Sequence, residues 1–86
     1  MTFEAAVVTE QNVTLAIIMV KRHVIENNLE ANRTIDSFTP AFGGVPVVLM
    51  GQDGFGRPRY YGRRDLVNFL VNVPVQLIPW KQYTLN

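Results

Sequence analysis

The chain contains no cysteine. Disulfides, thiolate nucleophiles and cysteine-ligated zinc are excluded together. It has a single histidine, His23, and a single serine, Ser37. Zinc sites draw on several His or Cys ligands, so this composition predicts no metal site within one chain. Long apolar runs are missing too. The longest, residues 13–20 with Thr14 inside it, falls far short of the roughly 20 residues a membrane helix needs. The first residues, MTFEAAVVTEQ, carry an acid at Glu4 and no basic region, which does not match a secretory signal. The expectation is a cytoplasmic protein away from membranes. The Asn-x-Thr sequons at Asn12 and Asn32 are then coincidental.

Charge is scarce, at 17% of residues, and nearly balanced at +1. Its distribution is uneven. Residues 1–50 carry a balance of −2 and residues 51–86 a balance of +3. Apolar residues make up 48% of the 86. A chain this short is one domain and buries only about 60–65% of its unfolded surface. Some apolar surface is therefore expected to stay exposed, which favours self-association.

The order of elements follows from periodicity. Phe3, Ala5 and Val7 alternate against Thr2, Glu4 and Ala6, so residues 2–8 suggest a half-exposed strand. Glu10, Gln11 and Asn12 form a turn. Residues 13–20, VTLAIIMV, are β-branched and apolar on both faces and fit a central strand, although a short apolar run leaves a buried helix open. Lys21, Arg22 and His23 mark its exit. Asn27 stands three residues before Glu30, as in a capping box. Ala31, Ile35, Phe38 and Phe42 recur at helical spacing. They predict a helix from about Asn28 to near Phe38, ended by Pro40. Residues 45–50, VPVVLM, form a second central strand. Asp53, Gly54 and Gly56 supply turn positions. Arg57 to Tyr61 alternates, and Pro58 places that strand at a sheet edge. Leu66, Phe69, Leu70 and Val73 define a helix face, with Asp65 in the first turn and Pro74 as the stop. The tail, residues 75–85, is apolar enough to dock or to add a strand. The expectation is an α+β domain of order β-β-α-β-β-α, with one mixed sheet, two helices and a packed tail.

The segment GVPVVLM from Gly44, the hairpin after it, Tyr60-Tyr-Gly62, and the helix DLVNFL from Asp65 together resemble the C-terminal ββα half of thioredoxin-like domains. In that family a proline, often cis, opens a buried strand, and a glycine closes the hairpin before the last helix. Pro46 and Gly62 match those positions. The resemblance covers about a third of the chain. The family's redox chemistry needs a CxxC pair, which this chain lacks, so the resemblance implies a shared half-fold without redox function.

Residues 51–65, GQDGFGRPRYYGRRD, hold four arginines, three aromatics and four glycines. Arg57, Arg59, Arg63 and Arg64 can neutralise phosphates, and Phe55, Tyr60 and Tyr61 can stack on bases. The competing reading is a solvated edge hairpin whose arginines discourage aggregation. Gly51, Gly54 and Gly56 do not make a dinucleotide fingerprint, because no third glycine and no helix follow in register. No cofactor is predicted. Arg63 and Arg64 open the last helix, where they could hold an anion or pair with Asp65, Asp53 or a partner chain. His23 is the one candidate general base, and no nucleophile or acid is placed beside it by the sequence. Ile78, Trp80 and Tyr83 form either a partner patch or a cap on the core.

Three readings follow. The leading one is a non-enzymatic interaction protein, self-associating as a homodimer through apolar contacts. The second is a nucleic-acid or anion-binding module using the arginine hairpin. The third is an enzyme, for which a pocket holding His23 and an acid would be required. Salt separates the first two, since phosphate contacts weaken steeply with salt and apolar contacts do not.

Overall fold

A computed structural model describes residues 1–10 and 12–85. Its frame is one mixed five-stranded sheet. The strands are β1 (Thr2–Glu10), β2 (Val13–Met19), β3 (Val47–Gln52), β4 (Pro58–Tyr61) and β5 (Lys81–Thr84). Their order is β4-β3-β2-β1-β5. β2 and β3 run parallel, and every other neighbouring pair is antiparallel. The helices are α1 (Arg22–Ile25), α2 (Asn28–Phe38) and α3 (Arg64–Leu70). The architecture is α+β, as the residue patterns predict. No described helix is long and apolar enough to cross a membrane.

Residues 13–20 are a strand and not a helix because alternate side chains enter two different cores. Leu15 and Ile17 join Ala6, Val48, Met50, Leu66, Leu70 and Ile78 on the α3 face. Ala16 and Ile18 join Ala5, Ala31, Phe38, Val47 and Leu49 on the α2 face. Every one of these is buried. A period-two pattern apolar on both faces is what a sheet covered on both sides requires. Ala5 and Ala6 are both fully buried, so β1 is covered on both faces at its middle and is less exposed than its alternation suggests.

α2 has the predicted bounds. The side chain of Asn27 accepts a hydrogen bond from the Glu30 amide at 3.0 Å, which satisfies one of the free donors at the helix start. α3 ends at Leu70, four residues before the expected stop at Pro74. The Asn72 amide bonds the Phe69 carbonyl and the Val73 amide bonds the Leu70 carbonyl, so the final turn tightens ahead of Pro74, which has no amide hydrogen to continue it. β3 begins two residues late and runs through Gln52, because Pro46 cannot donate and the ladder to β4 extends to Gln52 opposite Pro58. The Val45–Pro46 bond is trans. β3, β4 and α3 together make a hairpin followed by a helix.

Two elements differ from the simple predicted order. α1 occupies the residues read as a strand exit. The tail both docks and pairs, since Ile78 is buried in the α3-side core and β5 lies beside β1 with Tyr83 opposite Phe3. The predicted turn at Glu10-Gln11-Asn12 falls partly on Gln11, outside the described residues. Asn12 has φ +66°, a left-handed conformation that asparagine tolerates.

Candidate nucleic-acid interface

The hairpin between β3 and β4 is organised by one carboxylate. The Asp53 amide donates to the Arg57 carbonyl at 2.8 Å, and the Gly56 amide donates to the Asp53 carbonyl at 3.0 Å. Gly56 has φ +78°. This is the turn-plus-bulge closure that wants glycine at its left-handed position. The Asp53 side chain then ties the turn from inside. Its Oδ1 accepts the amides of Phe55 at 2.8 Å and Arg57 at 3.0 Å. Its Oδ2 accepts Arg57 Nε at 2.9 Å and stands 3.6 Å from Arg59 Nε. Only 16% of this side chain is exposed. The Arg57 amide, foremost, holds the Asp53 carboxyl below its usual range. The Phe55 amide and the Arg57 guanidinium act the same way, and desolvation opposes them.

The consequence is a fixed tip with an apolar ring held out in solvent. Phe55 is 85% exposed, and the Arg57 guanidinium lies over its ring, 5.1 Å from the centroid. A stacked cation of this kind restrains the ring while leaving its other face open. Arg59 stands opposite Gly51. A Cβ on Gly51 would stand 2.8 Å from Ile25 Cδ1, so α1 lies directly over this end of the sheet. Arg22 Nη1 reaches to 3.2 Å of where a Cβ on Gly54 would stand. Lys21, Arg22, Arg57 and Arg59 thus surround the tip. Against Asp53 and Glu26 they leave a surplus of two positive charges. The contribution of Lys21 and Arg22 was not visible in the sequence pattern, because nothing local says that α1 folds back over β3.

The other predicted site residues lie elsewhere. Tyr60 packs into the α3-side core and Tyr61 into the α2-side core, so the two tyrosines sit on opposite faces of the sheet. The Tyr60 hydroxyl is buried with no hydrogen-bond partner among the described residues, and burial raises its pKa. The Tyr61 hydroxyl lies 3.1 Å from Asn32 Oδ1, to which it donates. Arg63 grips Asp65 with two bonds, 2.7 and 2.9 Å. Those bonds, chiefly, lower the Asp65 pKa and raise that of Arg63. Arg63 and Arg64 therefore do not converge at the start of α3. Arg64 borders a shallow groove with Tyr60, Val67 and Asn68.

The tail residues do not share a surface. Ile78 is buried, and half-buried Trp80 packs beside it on the α3 side. Tyr83 lies on the α2 side, stacked on Phe3 at 5.7 Å and edge-on to Phe42 at 5.3 Å. His23 is exposed, 3.5 Å from Glu30. The Ser37 hydroxyl donates to the Arg33 carbonyl within α2. Among the described residues no group of His, Asp and Glu is spaced to hold a metal ion.

These features define a hairpin tip, charged and aromatic, closed by one carboxylate at the edge of the sheet. No family model, curated protein or solved structure matches this chain. The likeness to a thioredoxin-like half therefore rests on the residues quoted above.

Proposed function

We propose that the protein is a small, non-catalytic module that binds single-stranded nucleic acid through the hairpin tip. The observation that carries this reading is Phe55, 85% exposed at a tip locked by Asp53, with the Arg57 guanidinium on one face of its ring. A large aromatic ring held in solvent, with one face against a guanidinium, presents its other face to a partner. Bases stack on such rings without regard to sequence, and guanidinium groups neutralise the phosphates between them. Single strands expose base faces that a duplex hides. Binding of this kind needs no cofactor. A cytoplasmic setting, where single-stranded RNA is met, agrees with it.

The test is fluorescence anisotropy with a labelled mixed-sequence single-stranded RNA at low and moderate salt. Binding should weaken as salt rises, and Phe55→Ala should weaken it further. Absence of binding at low salt, or binding indifferent to both salt and Phe55, overturns the reading.

A second reading is self-association as a homodimer. Val71 and Leu77 are 62% and 71% exposed. Leu77 borders an apolar slot of about 160 Å³ with Val8, Phe69 and Val73. A patch of this sort is a common basis of symmetric dimers. Sedimentation equilibrium over a hundredfold concentration range tests it. A constant monomer mass, or a dimer that Leu77→Glu does not dissociate, removes it.

A further inference from the structure

β2 and β3 are parallel, so their carboxyl ends lie on the same side of the sheet. Between them opens a groove of about 470 Å³, lined by Met19, Val20, Lys21, Arg22, Gly51, Gln52 and Asp53. The groove lies just beyond the carboxyl ends of this one parallel pair. It adjoins the Phe55 tip through Arg22, whose guanidinium lies against Gly54.

The groove's chemistry is that of an anion track. Lys21 is exposed and makes no ion pair among the described residues. Arg22 has Glu26 as its nearest carboxylate at 3.8 Å, a long contact between two exposed groups. Asp53 is the groove's only acid, and its carboxylate is already occupied by two amides and two guanidiniums. It offers little repulsion to an incoming anion. Gln52 is exposed and carries both a donor and an acceptor.

We propose that this groove seats the sugar-phosphate unit next to the base stacked on Phe55, so that the shortest ligand bound well is a single strand of two or more nucleotides. Lys21 and Arg22 contact the phosphate, and Gln52 faces the sugar or the edge of the adjoining base. The inference rests on the nucleic-acid reading above and adds to it a second contact point and a minimum length.

The experiment is a titration of the intact protein with oligo(U) of one, two, four and eight nucleotides, each at several salt concentrations. It is run on the native chain, on Phe55→Ala and on the double variant Lys21→Gln, Arg22→Gln. The substituted positions are exposed, and the amide spectrum of each variant checks that it is folded. Affinity should rise at least tenfold from one nucleotide to two. Loss of the contact to that one phosphate should lower the slope of log K against log salt by about 0.7 in magnitude. Phe55→Ala should weaken binding at every salt concentration and leave that slope unchanged.

If oligomers bind and the double variant keeps the native slope, the groove is not the phosphate track. The tip reading then survives alone. If inorganic phosphate or a mononucleotide binds as well as the octamer, the groove holds a free anion and the minimum length is wrong. If no oligomer binds and an acidic peptide does, both inferences fall.

Discussion

The two ends of β4 carry the same charges and do different things with them. At the tip stand Arg57, Arg59 and Asp53. At the foot, where the chain enters α3, stand Arg63, Arg64 and Asp65. At the tip the carboxylate spends one oxygen on two backbone amides, and both arginines gather at the other oxygen. The backbone is fixed, positive charge remains in excess, and an aromatic ring is left exposed. At the foot a single arginine takes both carboxylate oxygens, and both nearby tyrosines go into the cores. The lesson is that composition does not make a site. What matters is whether the acid orders the backbone, presenting its neighbours, or merely cancels a charge.

If the foot is structural and the tip is for recognition, substitutions should separate stability from binding. The largest effect belongs to Gly62. A Cβ there would stand 3.3 Å from the Val47 carbonyl oxygen and the Val48 Cα. Backbone atoms of a central strand cannot move aside cheaply, so Gly62→Ala should cost about 1–3 kcal/mol of stability in urea denaturation. RNA affinity of the folded fraction should be unchanged. Phe55→Ala is the converse. It buries nothing in the free protein, so its melting midpoint should match the native chain. RNA affinity should fall about tenfold, the cost of one lost base stack. A reversal of these two results would abolish the distinction between the ends of β4.

The pH dependence of the tip sharpens it further. The Asp53 carboxyl is held below its usual value, first by the Arg57 amide. Its ionised form is the one that locks the turn, and the open turn binds more protons than the locked one. The lock is therefore complete above the ordinary carboxylate range and is lost as pH falls through the lowered pKa of Asp53. The amide resonances of Phe55 and Arg57 should hold steady through the ordinary carboxylate range and move together only below it. Movement centred above that range would mean that Asp53 is not the organiser.

Much of this fold is written in local patterns. α2 is legible because Asn27 caps it, Glu30 follows at the right spacing and Pro40 ends it. β3 is legible as a strand because apolar residues run unbroken between turn signals, whereas the apolar run of β2 also admits a buried helix until its two cores are seen. α1 is not legible, since four residues show no period and Lys21 provides no side-chain cap. The stretch 51–65 was visible as unusual, but its division into tip and foot was not. Alternation along β4 points Tyr60 and Tyr61 to opposite faces, but that both faces are covered there, so that each tyrosine enters a core, depends on the whole sheet. The division also depends on α1 folding over Gly51, which brings Lys21 and Arg22 to the tip from thirty residues away in sequence. Distant contacts of that kind leave no trace in a single sequence.

The smallest expected effect comes from the foot's ion pair, and its smallness is informative. Arg63 and Asp65 are close and bidentate, yet both side chains are more than half exposed. Water and salt screen such pairs, and ordering two flexible side chains offsets most of the attraction. Arg63→Gln should hardly move the melting midpoint. It removes one positive charge without touching the tip, so RNA binding should weaken slightly and uniformly, without altering the contribution of Phe55. A double-mutant cycle with Phe55→Ala measures this directly, and independent sites should add within about 0.5 kcal/mol. A larger coupling would show that the foot and the tip act on one ligand together, and the whole of residues 51–65 would have to be treated as a single surface.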